Sequence, residues 1–187
     1  EYRFVKTVIR SRVQGVYSEI NQILDGEAPP EVLAKYSGLT DQIALMAQLA
    51  ALLSKKRFGR GAMDIESVES KIVVGPDGKA VDVYPRSRGA SERIIEEFML
   101  TANEAAASFA LEQKLPFVYR VHDSPAPDKT ALLYEVLEQL GVKARRPKDG
   151  VRPAQLASIL DLVRDTPYQQ VIGTMVLRSM AKAKYSE

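Results

Sequence analysis

Apolar residues recur at helical spacing in one long stretch of the chain, between residues 91 and 113. Because a helix places residues three and four apart on one face, this recurrence predicts an amphipathic helix from Ser91 to Gln113. Glu96 and Asn103 lie seven residues apart, with Leu100 between them, and therefore point the same way. The predicted packing face of the helix consists of Ile94, Phe98, Thr101, Ala102, Ala105 and Phe109.

The polar face of this helix has two interpretations. A carboxylate from Glu96 and an amide from Asn103, set beside apolar surface, could together bind a polar ligand. Alternatively, Glu96 and Glu97 are solvated carboxylates of the first helical turn, where the helix dipole favours negative charge. Spacing alone favours the second interpretation.

Period-two alternation and turn residues predict the strands. Positions from Tyr2 to Val13 alternate between two faces, with Val5, Ile9 and Val13 on one of them, and predict a strand. The turn Gly75-Pro76-Asp77-Gly78 predicts a β-hairpin between residues 71–74 and 79–84. A short strand is predicted at residues 117–122, ahead of a turn-rich loop at residues 123–127.

Other helices are predicted from periodicity and from start and stop residues. Thr40 is the expected N-cap of the longest of these, and Pro153 and Pro167 suit first-turn positions because proline lacks an N–H. The ranges are 17–24, 40–57, 129–140, 153–164 and 167–183, and the buried stripe of the second comprises Ile43, Met46, Leu49, Ala50 and Leu53. These elements predict an α+β fold in which helices dominate.

Composition limits the class of protein. A chain of 187 residues, 45% hydrophobic and 27% charged, is typical of one soluble globular domain. The absence of cysteine excludes disulfides and thiolate chemistry and is compatible with a reducing compartment, so a cytoplasmic location is predicted. No apolar run reaches the roughly 18 residues that a membrane span needs, and no signal pattern precedes the first predicted strand. The start at Glu1, without methionine, and the end at Glu187 suggest an excised piece of a longer protein.

The usual catalytic signatures are missing from the sequence. There is no P-loop, no GxGxxG and no GxSxG, and His122 is the single histidine. A lone histidine at a strand end is more often structural than catalytic, because a general base needs a positioned partner. The carboxylates of Asp64, Glu66, Glu96 and Glu97 are scattered, so composition offers no site for metal-dependent phosphodiester hydrolysis.

Basic residues form local clusters although the net charge is only +2. Each cluster could contact phosphates, or could be an ordinary solvated loop or helix end. Arg120 and Arg178 have the same two interpretations, of which pairing with internal carboxylates is favoured. The clusters are Lys55, Lys56, Arg57 and Arg60; Arg86 and Arg88; and Lys143, Arg145, Arg146 and Lys148.

Four motifs in order give the chain a family resemblance. It resembles an internal segment of the catalytic RNB domain of the ribonuclease II/ribonuclease R family, over essentially residues 1–187 and closer to the ribonuclease R branch. The resemblance implies a helix-rich portion of that domain, with a β-hairpin and short strands packed on long helices. The motifs are Arg60-Gly61-Ala62-Met63-Asp64, Ile95-Glu96-Glu97-Phe98-Met99-Leu100 with Ala102-Asn103, Tyr119-Arg120-Val121-His122, and Leu177-Arg178-Ser179-Met180.

The resemblance implies substrate-binding roles for three residues. Tyr17 matches a tyrosine that contacts the 3′-terminal nucleotide, and Glu96 matches a glutamate that hydrogen-bonds the ribose of that nucleotide. A carboxylate can accept bonds from both ribose hydroxyls, and the 2′-OH distinguishes RNA from DNA. Ile65 stands where the family commonly has a phenylalanine that stacks on a base. Isoleucine contacts a base without a π-face, and such stacking is worth about 1–3 kcal/mol.

The resemblance also implies what this segment lacks. Members of the family are processive 3′→5′ exoribonucleases that release nucleoside 5′-monophosphates from single-stranded RNA, using Mg²⁺ held by aspartates. Those aspartates, an assisting arginine and the RNA-binding barrels lie outside residues 1–187, so no catalytic or metal-binding residue is expected here and the segment should be inactive alone. The alternative is a non-catalytic RNA-binding or protein-interaction relative.

The resemblance and the exposed ends together predict the oligomeric state. The intact enzyme is expected to be a monomer with no membrane contact. The first strand and the last helix of the segment should pack against parts that are not present in it. Unpaired strand edges and exposed apolar surface promote association, so the segment alone is expected to self-associate.

Overall fold

Helices dominate the computed structural model, which describes residues 2–63, 70–85, 88–147 and 150–187. The elements of the first part of the chain are α1 (Tyr17–Asp25), α2 (Pro30–Lys35), α3 (Thr40–Gly59), β1 (Ser70–Val74), β2 (Ala80–Pro85) and α4 (Ala90–Glu112). The later elements are β3 (Tyr119–His122), α5 (Pro127–Gln139), α6 (Pro153–Leu162), α7 (Gln169–Ser179) and β4 (Ala183–Ser186). The predicted α+β class is confirmed.

The predicted hairpin is confirmed. Strands β1 and β2 pair antiparallel, with Lys71 opposite Tyr84 and Val73 opposite Asp82. The Gly78 N–H donates to the Gly75 carbonyl at 3.0 Å, which closes the turn. Gly78 has a φ of 77°, a left-handed conformation that glycine adopts without steric cost.

The predicted first strand is wrong. Residues 2–16 form no helix and belong to neither of the two sheets that the described residues form. Val8 and Ile9 are 102% and 86% exposed. Alternation favours an extended backbone, but a strand also needs a partner, and the described part of the chain provides none. The segment is held near its start, where the Phe4 ring lies 5.0 Å from that of Phe109.

The C-terminal end also departs from the prediction. Helix α7 ends at Ser179 rather than at residue 183, and β4 follows it and pairs antiparallel with β3. The last helix has packing partners within the segment, since Ile172 and Val176 are fully buried, and the expectation that it also packs against parts outside the segment stays a prediction. Helix α7 contacts both α5 and α6.

The chain divides into two compact units, each with its own core. The described part of the first unit covers residues 2–55, 70–85 and 88–113, and Val32, Tyr36 and Ile43 form its buried cluster. In the predicted stripe of α3, Ile43 and Ala50 are buried, whereas Met46 and Leu49 are 37% and 49% exposed.

The second unit has the larger core. Its described part covers residues 56–63, 114–147 and 150–187. Helices α5, α6 and α7 bury the side chains of Leu133, Leu137, Leu156, Ile159, Ile172 and Val176, each at most 2% exposed. In the same unit Gly61, from the first resemblance motif, lies so close to the start of α6 that a Cβ on it would be 2.8 Å from the Cα of Ala154.

Candidate functional site

Helix α4 carries Glu96, the residue that the resemblance implies for ribose binding. Its buried residues are Ser91, Ile94, Glu97 and Ala110. The predicted packing face is therefore correct at Ile94, while Thr101 and Ala102 are exposed. The Thr101 hydroxyl donates back to the Glu97 carbonyl at 2.8 Å, which gives this exposed side chain a local partner.

Glu96 and Glu97 have different environments. The Glu96 side chain is 43% exposed, and one of its carboxylate oxygens lies 3.6 Å from a guanidinium nitrogen of Arg88. Glu97 is only 5% exposed, so the interpretation of both residues as solvated first-turn carboxylates is wrong for Glu97. The helix begins at Ala90, and Glu92 is the acid of its first turn.

A hydrogen-bonded cluster joins the middle of α1 to the N-terminal end of α4. The Ser91 N–H donates to Oδ1 of Asn21 at 2.9 Å, and Nδ2 of Asn21 donates to Glu92 at 3.2 Å. The Glu92 carboxylate also accepts the Gly89 N–H at 3.1 Å, as in the carboxylate half of a capping box. We call these four residues, Asn21, Gly89, Ser91 and Glu92, the α1–α4 junction.

The junction lowers the pKa of the Glu92 carboxyl. Burial alone would raise this pKa, because it disfavours the charged form. The hydrogen bonds from the Glu92 backbone, Asn21, Ser91 and the Gly89 backbone outweigh burial and hold the pKa below its ordinary value. The carboxylate is therefore ionised at neutral pH, as its role as an acceptor requires.

Tyr17 is fixed through its backbone and open at its ring. It is the first residue of α1, and its carbonyl shares the single Ser91 hydroxyl donor with the Glu92 carboxylate, at 3.1 Å and 3.0 Å. Its side chain is 44% exposed. The junction thus fixes the start of α1 against the start of α4, the helix that carries Glu96, and leaves the ring of Tyr17 accessible to a ligand.

A second set of hydrogen bonds connects the start of α1 to the end of α2. The buried Tyr36 hydroxyl donates to Glu19 at 2.6 Å and accepts the Val16 N–H at 2.9 Å. Lys35 donates to the same Glu19 carboxylate. The hydrogen bonds from Lys35 and Tyr36 lower the pKa of Glu19. Neither Tyr36 nor Glu92 is among the site residues predicted from the sequence, although Glu92, three residues after Gly89, fits the spacing of a capping box.

In the second unit, the residues of the third and fourth motifs lie on and beside the β3–β4 sheet. Nδ1 of His122 lies 3.2 Å from the Ala181 carbonyl oxygen, a structural contact of the kind that was favoured for a lone histidine. Arg120 and Arg178 are both exposed. Within the described ranges neither has a carboxylate partner, so the favoured pairing with internal acids is wrong.

Metal ligands are not gathered in the part of the chain that the structure describes. No group of three or more His, Asp or Glu side chains there could hold an ion. The described donor set therefore does not fit a magnesium centre. Ile65, together with the carboxylates of Asp64 and Glu66, lies outside the described residues. No helix among the described residues is both long and apolar enough to cross a membrane.

The family is established by a match along the chain. The model of the RNB domain matches residues 1–187. The chain therefore belongs to the RNB domain family, and the resemblance read from the four motifs is confirmed.

The similar curated proteins carry the name ribonuclease R. The protein of Thermotoga maritima is 36% identical over 186 residues, which cover 99% of this chain and 26% of that protein. Ribonuclease R 1 of Lactococcus lactis is 32% identical over 186 residues, covering 100% of this chain and 22% of that protein. The chain thus spans about a quarter of the length of these relatives.

Solved structures agree with the sequence relatives. Mycoplasma genitalium RNase R in complex with ribose methylated single-stranded RNA superposes with a TM-score of 0.78 at 26% identity, over 91% of this chain and 26% of that one. The same enzyme in complex with double-stranded RNA gives a TM-score of 0.77 at 26% identity, over 91% of this chain and 30% of that one.

Proposed function

We propose that the full-length protein containing this chain is a processive 3′→5′ exoribonuclease that hydrolyses single-stranded RNA to nucleoside 5′-monophosphates. The observation that carries this proposal is the match of the whole chain to the RNB domain, with relatives named ribonuclease R. Further support comes from the likeness to an RNase R in complex with single-stranded RNA.

In this proposal the first unit binds the 3′-terminal nucleotide. The Glu96 carboxylate accepts hydrogen bonds from the ribose hydroxyls, and the ring of Tyr17 contacts the nucleotide. Both side chains are accessible, at 43% and 44% exposure. Arg88 keeps a positive charge beside Glu96, and an exposed pair of this kind costs little to open, about 0–1 kcal/mol. Ile65 supplies apolar contact to a base.

Hydrolysis is assigned to residues outside this chain. Mg²⁺, held by upstream aspartates, would activate a water and stabilise the charge that develops on the phosphate. The contribution of residues 1–187 is to position the 3′ end. We therefore expect the 187-residue chain alone to release no nucleotides from RNA.

The test replaces Glu96 by glutamine in the full-length protein. Two substrates are compared, one ending in ribose and one in 2′-deoxyribose, and the rate of nucleotide release is measured on each. Bonds to a charged acceptor are worth about 1.5–3 kcal/mol, so the wild-type protein should prefer the ribose end by about tenfold or more. Glu96→Gln should lose most of that preference.

Glu104→Gln is the matched control, because it removes the same charge from an exposed position on the same helix. It should leave the preference intact. If wild type and Glu96→Gln discriminated equally between the two substrates, Glu96 would not be the residue that binds the ribose. The assignment of the protein as a nuclease would not be affected. A full-length protein that binds RNA but never degrades it would instead favour the non-catalytic alternative.

A further inference from the structure

A positively charged cleft lies in the second unit, on the surface of α5 and α6. Its volume is about 570 Å³, within the range of about 300–1,000 Å³ that is typical of small-molecule sites. Lys143, Arg145 and Arg146 line it, and no Asp or Glu is among its described lining residues. All three cations come from the segment 142–147, which follows α5.

Apolar and basic residues alternate in this segment. Val142 and Ala144 pack against the core of the second unit, whereas Lys143 and Arg145 are not among the residues packed on it. Both are exposed, as is Arg146.

The basic cluster lies outside α5 and has no carboxylate partner among the described residues. The last turn of α5 contains no basic residue, and these cations follow it beyond Gly141. Throughout the described ranges, none of the three forms an ion pair with a carboxylate. Their mutual repulsion is therefore not relieved within the described part of the protein.

The floor of the cleft is apolar and carries polar groups at its edge. Tyr134 and Ile159 are 7% and 2% exposed, and both line the cleft. Burial raises the pKa of Tyr134, and the positive charge of Arg146, which lines the same cleft, acts against that rise. Gln155 uses its Oε1 to accept the Arg152 N–H at 2.7 Å, a bond that does not involve its NH₂ group.

We propose that this cleft binds a phosphate group of a nucleotide, either within an RNA strand or in a free nucleotide. Guanidinium and ammonium donors form strong charge-assisted hydrogen bonds with phosphate oxygens. The apolar floor of Tyr134 and Ile159 accommodates the attached base or sugar, and the Gln155 NH₂ can donate to it. This proposal rests on the proposed function in one respect, because RNA and the nucleotides released from it are the source of the phosphate group.

The test uses two cleft variants and one control in the full-length protein. Arg145→Gln/Arg146→Gln removes two cations, and Ser158→Glu adds a carboxylate at an exposed lining position without removing any cation. Lys129→Gln/Lys182→Gln is the control, because it removes two exposed charges of the same unit away from the cleft. All binding is measured with EDTA present, so that cleavage does not interfere.

Two probes distinguish the two sources of phosphate. The first is a fluorescently labelled single-stranded oligoribonucleotide, followed by anisotropy at several salt concentrations. If the strand passes through the cleft, both cleft variants weaken binding at least severalfold, and the slope of log K against log salt falls by about 0.7 per lost phosphate contact. The second probe is a nucleoside monophosphate, with inorganic phosphate alongside, followed by calorimetry.

Loss of monophosphate binding in both cleft variants, with oligonucleotide binding intact, would identify a free nucleotide as the ligand. The proposal is overturned if neither probe responds to the cleft variants more than to the control. Nucleotide release from RNA is assayed separately. A protein that fails to cleave RNA but retains the cleft-dependent binding would contradict the proposed function and leave this inference standing.

Discussion

At the scale of single residues, Gly89 has the most restricted surroundings in the candidate site. A Cβ at this position would lie 2.2 Å from Nδ2 and 2.7 Å from Cγ of Asn21. The Asn21 side chain has little freedom to move aside, because Ser91 and Glu92 both bond it. Gly89 is therefore required by close approach rather than by its backbone, whose φ is −82°.

We predict that Gly89→Ala destabilises the chain. Displacing Asn21 breaks two hydrogen bonds, each worth about 0.5–1.5 kcal/mol, so the free energy of unfolding should fall by about 1–2 kcal/mol after the gain from a stiffer unfolded chain. Urea denaturation measures this. Gly173→Ala, where the added methyl meets nothing within 4 Å, is the control and should be neutral or stabilising. An equal effect of both substitutions would contradict the close approach.

The contact of Asn21 with the start of α4 could not have been found from local pattern alone. Asn21 and Ser91 are 70 positions apart, and no spacing rule connects positions at that separation. Glu96 was selected by the resemblance and by its place on a periodic helix, but its partner Arg88 was recognised only as one of a basic pair. The burial of Glu97 likewise depends on tertiary packing that no local pattern carries.

At the scale of secondary-structure elements, start residues and turn residues correctly predicted those elements that local contacts stabilise. Pro153 starts α6 as predicted, and the Gly75–Gly78 turn set the hairpin. The start of α5 was missed because Pro127 was assigned to the preceding loop, although it opens the helix. Strand β4 was missed because its partner β3 lies some 60 positions earlier in the chain.

The attachment of α1 to α4 should depend on pH through Glu92. Because the folded-state pKa of this carboxyl is lowered, its stabilising contribution is present above the ordinary value of 4.5 and is lost as the pH falls through the folded pKa. Glu92→Gln should therefore be less stable than wild type at pH 7, and the difference should shrink below pH 4.5.

Chemical denaturation of both proteins over a series of pH values measures this difference. Glu31→Gln is the matched control, since Glu31 is an exposed first-turn carboxylate of α2 in the same unit. It should show little difference from wild type at any pH. If the difference in free energy of unfolding between Glu92→Gln and wild type stayed constant down to acidic pH, the hydrogen bonds to Glu92 would not depend on its charge.

At the scale of the whole molecule, the two units have different proposed roles. The first holds Tyr17 and Glu96 on helices joined by the junction, and the second holds the charged cleft around Arg145 and Arg146. The sequence predicted one domain, because it contains no linker rich in glycine, proline or serine. Separate cores arise instead from which helices contact one another, a property of the folded chain that composition does not record.

We predict that the isolated 187-residue chain self-associates through residues 2–16. This segment lies outside the helices and both sheets of the described residues, and it exposes Val8 and Ile9 almost completely. A segment with an unpaired backbone and exposed apolar side chains can pair with a second copy and bury those side chains.

Light scattering over a concentration series should show a rising mass for the wild type and a monomer for Val8→Ser/Ile9→Ser. Val171→Ser/Leu177→Ser removes two exposed apolar side chains from helix α7 and should still associate, because it leaves residues 2–16 unchanged. A monomeric wild type at high concentration would contradict the prediction.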